Sequence, residues 1–337
     1  MFSFIPNEYF LLAFGLILLI KGGDWFVDAA TSIAKRFKLP ELLIGATVVS
    51  IGTTLPEVMT SAMGAAAGNG AMAYGNAIGS IICNTSLIAA ITIAIKPSKV
   101  DKKSLIFPVC VFFGVAAFYA GTAYIGGKFS RLTGIILLIA FVAYMFITVW
   151  NMLRNPDKEA HEELETPEIE ESSSSFALIK DIGMLVVSAL VIALGAHLLV
   201  ESATSIANQL GVPQTVISLT IVALGTSLPE LVTAITALMK GHGALSLGNI
   251  IGANIFNLVL VSGVAVVINP FDVPTDATFM GMNTSLVFDI PLFIGVMAIM
   301  TIPAIIKGKL SRWQGITLLA AYAAYCVLQF ALIPLFP

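Results

Sequence analysis

Charged residues are scarce in this chain: they make up 11% of its 337 residues, whereas hydrophobic residues make up 58%. The mean hydropathy is +0.95, and a soluble protein of this length could not bury so much apolar surface. The scarcity of charge therefore excludes an ordinary soluble enzyme or binding domain. It is typical of a helical protein that crosses the membrane several times, because lipid is then the solvent of the apolar side chains.

Cysteine is also rare, and the usual catalytic motifs are missing. Cys83, Cys110 and Cys326 all lie in apolar segments, so we expect neither a disulfide framework nor a zinc site. The sequence has no H-E-x-x-H and no G-x-S-x-G, and "KGGD" at 21–24 is one residue short of a G-x-G-D protease motif. We therefore do not expect an enzyme. We also expect no cleavable signal peptide, because the first apolar run is long and lacks a basic segment before it.

The apolar residues form ten stretches, each long enough to cross a bilayer at about 20 residues per span. They lie near 9–33, 40–68, 71–95, 104–125, 131–153, 179–207, 213–239, 244–268, 284–306 and 312–335. The segment at 154–178 is acidic and serine-rich, which is typical of a flexible linker, although a cation-sensing loop would have a similar composition. We predict an all-α polytopic membrane protein of ten transmembrane helices, with five-helix repeats at 1–153 and 179–337.

Lysine and arginine are distributed unevenly among the predicted loops. Fourteen of the 17 lie at or beyond the ends of spans 1, 3, 5, 7 and 9, whereas only Lys128 and Arg131 lie on the opposite side, and Lys21 falls within span 1. By the positive-inside rule, the side rich in basic residues faces the cytoplasm. We expect an integral protein of the cell's inner membrane, with both termini outside and the acidic linker in the cytoplasm.

Four segments of the first half recur in the second half. "DAATSIAKRFKLP" at 28–40 matches "ESATSIANQLGVP" at 201–213, "GTTLPE" at 52–57 matches "GTSLPE" at 225–230, "GNAIGSIICN" at 75–84 matches "GNIIGANIFN" at 248–257, and "GKFSRLTGIILL" at 127–138 matches "GKLSRWQGITLL" at 308–319. The first three pairs share an offset of 173 residues and the last has 181, so an eight-residue insertion lies between them. Because each half has an odd number of spans, the second enters the membrane from the opposite face, as in an inverted-topology repeat.

The repeated motifs "GTTLPE" and "GTSLPE" place a proline and a carboxylate inside apolar runs, where both are costly. Pro56 has no N–H, so the carbonyl of Gly52 loses its helical partner, and Pro229 does the same to Gly225. We therefore expect the helices of spans 2 and 7 to be kinked or broken near mid-membrane. Freed carbonyls at that depth are tolerated only where they line a cavity or meet a ligand.

Oxygen-bearing side chains accompany both prolines. In each half a glutamate lies one helical turn after two hydroxyl residues, and the neighbouring spans add a serine and two amides. The set consists of Glu57, Thr53, Thr54, Glu230, Thr226, Ser227, Ser80, Asn84 and Asn257. Carboxylate, hydroxyl and carbonyl oxygens without sulfur or imidazole are the ligands of hard cations such as Ca²⁺ and Na⁺.

Most of these features also have a plain structural interpretation. Proline kinks are common in membrane helices, and Asn, Thr and small-residue pairs often serve only to join helices. A glutamate at mid-membrane is different, because its energetic cost makes a functional role the default. Glu57 and Glu230 occupy matched positions of an inverted repeat, which predicts that they converge on one cation pathway near the bilayer centre.

The two motif pairs resemble those of the sodium/calcium exchanger family within the cation/Ca²⁺ antiporter superfamily, and the resemblance covers nearly the whole chain. It implies that Glu57 and Glu230 are central carboxylates shared by Ca²⁺ and Na⁺. It implies further ligand oxygens from Thr53, Thr54, Thr226, Ser227, Ser80, Asn84 and Asn257, and backbone carbonyls of Ser50 and Ala223 at flanking Na⁺ sites. Ca²⁺ and Na⁺ would be transported ions, and no resident cofactor is implied.

Two positions depart from the family pattern. Many exchangers have an aspartate where this chain has Asn257, and often a serine where it has Ala253. In K⁺-dependent relatives that aspartate is associated with K⁺, so the resemblance implies a K⁺-independent protein. The alanine removes a hydroxyl from one flanking Na⁺ site, which argues against a third Na⁺.

We expect a secondary antiporter that exports Ca²⁺ in exchange for Na⁺ by alternating access. The resemblance implies that spans 1 and 6 slide over spans 2, 3, 7 and 8. One Ca²⁺ or two Na⁺ neutralise two ionised glutamates, so competition for one pair is enough to force exchange. The alternatives are proton coupling, transport of Mg²⁺ or Mn²⁺, and a passive channel. Proton coupling is considered because two adjacent empty carboxylates should not both stay ionised. We expect a monomer whose partners are the two ions and the bilayer, without nucleic acid.

Overall fold

The computed structural model describes residues 7–37, 39, 41–154, 175–209, 223–275 and 278–329. Nearly all of them are helical, in ten successive helical elements that correspond to the predicted spans. Most of the predicted linker, the first part of predicted span 7 (213–222) and the end of span 10 (330–335) lie outside the described residues.

Where both ends are described, the helices begin and end within a few residues of the predicted spans. Their bounds are α1 Asn7–Arg36, α2 Glu41–Ala66, α3 Gly70–Ile95, α4 Lys102–Gly126, α5 Arg131–Arg154, α6 Ser175–Gln209, α7 in two parts Ala223–Thr226 and Leu228–Met239, α8 Gly243–Ile268, α9 Ser285–Lys307 and α10 Arg312–Val327. Four of them contain π-helical turns, at Gly45–Val49, Asn84–Ala89, Asn257–Val261 and Ser285–Asp289. Two short antiparallel ribbons, which the sequence did not predict, pair β1 (Lys128–Phe129) with β2 (Phe271–Asp272) and β3 (Thr278–Phe279) with β4 (Met282–Asn283).

Eight of these helices are long and apolar enough to cross a membrane. The exceptions are α7, whose described main part Leu228–Met239 is too short, and α10. An all-helical polytopic membrane protein is therefore confirmed, whereas the count of ten crossings stays a prediction. Apolar side chains cover much of the outer surface, including Phe10, Ile139 and Phe146 at 63%, 63% and 64% exposure, because this surface faces lipid rather than water.

The ends of the helices follow local sequence signals. Asp101 caps α4 by accepting hydrogen bonds from the backbone N–H groups of Ser104 and Lys103, at 2.8 and 3.3 Å. Ser311 and Gln314 form a reciprocal capping box at the start of α10. Gly127 and Gly308 end α4 and α9 with φ angles of +62° and +66°, a conformation that favours glycine.

Hydrogen bonds between the halves recur at the offsets found in the sequence. The N–H of Val273 donates to the carbonyl of Gly127 at 2.9 Å, and the matched N–H of Val100 donates to Gly308 at 3.0 Å. Likewise, the Arg131 side chain donates to a carbonyl of α8 at 3.2 Å, and its counterpart in α10 donates to a carbonyl of α3 at 2.9 Å. The fifth helix of each half therefore packs on the third helix of the other half, so the two halves interlock.

Glycines allow α2 and α8 to cross in close contact. A Cβ atom on Gly248 would overlap the carbonyl oxygen of Leu42, and one on Gly252 would lie 2.6 Å from Cα of Ala46. Close packing of the two helices is thus observed at these glycines. The matched pair, Gly75 and Gly79, has no atom within 4 Å of an added Cβ in the part of the chain that the structure describes, so the first half has no equivalent close crossing at these positions.

Helices α1 and α6 pack on each other along much of their length. Gly15 meets Gly195 near one end, and Ser32 donates to Asp181 at 2.7 Å near the other, so the two helices are antiparallel. The side chain of Lys240, at the end of α7, reaches the carboxylates of Asp24 and Asp28 in α1 at 3.5 and 2.8 Å. Sequence neighbours on a helix could not reveal this partner from another element.

Candidate cation-binding site

Glu57 lies in the middle of α2 and is completely buried. The α-helical part of α2, Ser50–Ala66, runs through Pro56 without a break, so of the two predicted outcomes, a kink or a break, this half does not show the break. The π-helical turn at Gly45–Val49 lies just before it and ends three residues before Gly52, the residue whose carbonyl loses its helical partner to Pro56. No side chain among the described residues donates a hydrogen bond to either carboxylate oxygen of Glu57.

Glu230 lies in the first turn of the main part of α7 and is also completely buried. Here the helix is interrupted, as expected: Ala223–Thr226 ends at a turn on Ser227, and a new helix begins at Leu228 with Pro229 in its first turn. Proline is well tolerated at this position because the first N–H groups of a helix have no partner within it. The amino terminus of the new helix also favours a negative charge such as that of Glu230.

The two glutamates are brought together across the interface of the halves. Their carboxyl groups lie close enough to interact electrostatically. The hydroxyl of Thr54, in α2, lies 3.5 Å from Oε1 of Glu230, in α7. The other oxygen of Glu230, Oε2, accepts no hydrogen bond of normal geometry from the described residues. Two completely buried carboxylates, with three oxygens that accept no hydrogen bond of normal geometry from the described residues, are therefore neighbours in the helix bundle.

The predicted hydroxyl residues lie around this pair. Thr53, Ser80 and Ser227 are buried, and the hydroxyl of Ser227 lies 3.4 Å from that of Ser80, so α7 and α3 also meet here. Thr226 is only partly buried. Ser50 is buried, but its hydroxyl is already engaged, at 2.7 Å from the carbonyl of Gly45 and 2.9 Å from that of Asn249. Ser50 and Ala223 were predicted to act through their carbonyls, and the side chain of Ala223 lies outside the described residues.

Two asparagines complete the set at matched positions. Asn84 in α3 and Asn257 in α8 are completely buried, and each begins a π-helical turn. Neither the oxygen nor the nitrogen of either side-chain amide has a hydrogen-bond partner among the described residues. A buried polar group without a partner is costly. A cation bound by the two amide oxygens would give those oxygens a partner.

The sequence did not identify Asn249 as part of the network around the site. Its amide lies between the halves, 3.2 Å from the hydroxyl of Thr53 in α2 and 2.9 Å from that of Thr233 in α7. Its repeat counterpart Asn76 donates to the backbone carbonyl of Glu57 at 3.1 Å. The available signal was the asparagine that follows the first glycine in both "GNAIGSIICN" and "GNIIGANIFN".

The chemistry of this site is restricted to oxygen ligands. In the described ranges no group of three or more His, Cys, Asp and Glu residues could hold a metal ion. The two carboxylates must therefore be complemented by neutral hydroxyl, amide and carbonyl oxygens. Such a donor set suits Ca²⁺ and Na⁺ and is unsuited to zinc or copper. The residues present thus fit hard cations as transported substrates.

A buried, acidic candidate site between two interlocked halves of a polytopic membrane protein is typical of membrane cation transporters. Comparison with known proteins gives the family. Residues 7–150 and 180–331 match the model of the sodium/calcium exchanger protein family. The chain belongs to the sodium/calcium exchanger family.

Similar proteins include members from archaea. This chain is 35% identical to an uncharacterized membrane protein of Methanocaldococcus jannaschii, in a match that covers 93% of this chain and 94% of that protein. It is 31% identical to the sodium/calcium exchanger MaX1 of Methanosarcina acetivorans, in a match that covers 97% of this chain and 99% of that protein. A solved structure of the sodium-calcium exchanger NCX_Mj superimposes with a TM-score of 0.78 at 31% identity, covering 96% of this chain and 98% of that one.

Proposed function

We propose that this protein exchanges Ca²⁺ for Na⁺ across the membrane by alternating access, with Glu57 and Glu230 holding either one Ca²⁺ or Na⁺ ions in turn. The observation that carries this proposal is the pair of completely buried, neighbouring carboxylates where the halves meet, three of whose oxygens accept no hydrogen bond of normal geometry from the described residues. Membership of the sodium/calcium exchanger family supports it.

Charge balance favours exchange over co-transport. In a medium of low dielectric constant, the empty pair would carry two unscreened charges. One Ca²⁺ or two Na⁺ restore neutrality, whereas both cation types together would leave a net positive site. Thr53, Thr54, Thr226, Ser227, Ser80, Asn84, Asn257 and the carbonyls of Ser50 and Ala223 are proposed as the neutral ligands.

The architecture also supports a moving pair of helices. Helices α1 and α6 pack mainly on each other, whereas α2, α3, α7 and α8 hold the site residues. We propose that α1 and α6 slide along this core and expose the site to one side at a time. The salt bridges from Lys240 to Asp24 and Asp28 cross from α7 to α1, so they would have to rearrange during this motion. By the positive-inside rule, we propose that these contacts lie on the cytoplasmic side, together with the acidic linker.

Transport in vesicles tests the function. We expect purified protein in vesicles loaded with Na⁺ to take up radioactive Ca²⁺, and uptake to stop when the Na⁺ gradient is removed. Addition of K⁺ should leave the rate unchanged, because Asn257 does not supply a third carboxylate. Protein-free vesicles are the control. Uptake that ignores the Na⁺ gradient and follows a pH gradient would instead identify a proton-coupled exchanger.

Asn257→Asp is expected to raise the affinity for Ca²⁺ by about tenfold or more. The side chain is completely buried and has no partner in the described structure, so a carboxylate there would add a third negative charge to the proposed site. Calorimetric titration with Ca²⁺ checks this expectation. Asn269→Asp, at the residue that follows the same helix and donates to the carbonyl of Ala65, is the matched control and should leave Ca²⁺ binding unchanged. Equal binding by wild type and Asn257→Asp would place residue 257 outside the ligand set.

A further inference from the structure

The amide of Asn249 connects the hydroxyl residues of α2 with the helix that presents Glu230. Asn249 lies in α8 and is 1% exposed, and it lies between Thr53 of the first half and Thr233 of the second. Its position controls a group next to the carboxylate pair, because Thr53 lies one helical turn before Glu57.

The direction of each hydrogen bond in this network can be assigned. The hydroxyl of Thr233 lies 2.9 Å from the carbonyl of Pro229 and 3.1 Å from that of Glu230, and it must donate to them because carbonyls only accept. Thr233 then accepts from Asn249, so the Nδ2 group of the amide points toward Thr233. The Oδ1 atom must consequently point toward α2.

This orientation determines what Thr53 can do. A hydroxyl has one proton and two lone pairs, and the hydroxyl of Thr53 lies 3.2 Å from Oδ1 of Asn249, an acceptor to which only the hydroxyl can donate. Ser50 is held on the same residue, since its hydroxyl lies 2.9 Å from the backbone carbonyl of Asn249. With its proton used in this way, the oxygen of Thr53 is left with lone pairs only, which suits a cation.

We propose that Asn249 is a positioning residue for Na⁺: it holds the hydroxyl of Thr53 with the proton turned away from the site, so that its oxygen is preset as a cation ligand. The inference rests on the proposed exchange at Glu57 and Glu230. A single Ca²⁺ neutralises both carboxylates alone. Two Na⁺ ions repel each other and must sit apart, so at least one of them depends on neutral oxygens such as that of Thr53.

The test is competition between Na⁺ and Ca²⁺ on purified full-length protein. In Asn249→Ala, we expect the Na⁺ concentration that displaces half of the bound Ca²⁺ to rise about tenfold, a factor typical of one lost oriented interaction. Ca²⁺ affinity measured without Na⁺ should change less than about twofold. Asn269→Ala removes an amide just beyond the end of the same helix, which donates to the distant carbonyl of Ala65, and this variant should compete like wild type.

A double-mutant cycle separates positioning from general damage. If Asn249 acts through the hydroxyl of Thr53, then Asn249→Ala should have no further effect on Na⁺ competition in a Thr53→Val background. Thr233→Val is a second test variant in case Asn249→Ala does not fold. It removes the hydroxyl that accepts from the amide of Asn249 and thereby orients that amide. It should weaken Na⁺ competition in the same direction.

Two results would overturn the inference. One is an equal loss of Na⁺ and Ca²⁺ binding in Asn249→Ala, and the other is an undiminished effect of this substitution in the Thr53→Val background. Both leave the proposed exchange intact, provided that Na⁺ displaces Ca²⁺ from the wild-type protein. If Na⁺ fails to displace Ca²⁺ from wild type, it is the proposed function that fails.

Discussion

Glu57→Gln is expected to weaken Ca²⁺ binding by about a hundredfold or more and to abolish exchange. The substitution keeps the shape of the side chain but removes one of the two negative charges that face the cation in a low-dielectric environment. Because no side chain in the described structure donates to the carboxylate of Glu57, the cation is its expected partner. Calorimetric titration with Ca²⁺, with and without Na⁺, measures the loss. Glu230→Gln should have the same effect.

A buried carboxylate elsewhere in the membrane provides the control. Asp289, in α9, is 9% exposed and accepts a hydrogen bond from Gln329 at 3.1 Å. Asp289→Asn should therefore leave Ca²⁺ binding within about twofold of wild type, since its partner can also bind an amide. Wild-type Ca²⁺ affinity in Glu57→Gln would remove Glu57 from the site.

Thermal unfolding distinguishes loss of the ligand from loss of the fold. Ca²⁺ that binds only the folded state raises the unfolding temperature of the wild-type protein. In Glu57→Gln, Ca²⁺ should no longer raise it. Without Ca²⁺, the variant should unfold at a temperature no lower than wild type, because a buried and unpaired charge has been replaced by a neutral group. A much lower unfolding temperature in the absence of Ca²⁺ would instead indicate that Glu57 stabilises the fold directly.

The helices and the central pair of glutamates could be predicted from the sequence because their signals are local or periodic. Long apolar runs define the helices within a few residues, and the offset of 173 residues brings Glu57 and Glu230 to equivalent positions. The structure adds the contact from Thr54 to Glu230, which an inverted repeat makes plausible but does not specify. The membrane also narrows the possible secondary structure, since only helices and closed barrels give every backbone N–H and C=O group a hydrogen-bond partner in lipid.

The remaining features depend on which helix faces meet, and one chain's pattern does not contain that information. The partner of Asp28 is Lys240, 212 residues away, and the partner of Thr53 is Asn249, 196 residues away. Nearly identical motifs also gave different helices. The helix continues through Pro56, whereas the second half is interrupted at Ser227. Proline determines which hydrogen bond is lost, but the surroundings determine whether the helix bends, shifts to a π-helical turn or restarts.

Gly248→Ala is expected to destabilise the whole fold, because this glycine lies where α8 crosses α2. The added methyl group would overlap the carbonyl oxygen of Leu42 and lie 2.8 Å from its carbonyl carbon. Both are backbone atoms, so no side-chain rotation relieves the clash, and the two helices must separate. We expect a cost at the upper end of the roughly 1–3 kcal/mol typical of overpacking, or more. The unfolding temperature and the monodisperse fraction in detergent measure it.

Gly114→Ala is the matched control for this last substitution. Gly114 lies in the middle of α4, and an added Cβ there has no atom within 4 Å in the described structure. Alanine is the better helix former by roughly 1 kcal/mol, so Gly114→Ala should fold at least as well as wild type.

The α2–α8 crossing also sets the distance between Thr53 and Asn249, so Gly248→Ala should weaken Na⁺ competition in any protein that still folds. If the two alanine variants were equally stable, then separating α2 from α8 would cost no folding free energy. Close packing of these two helices would then not be what holds the site together.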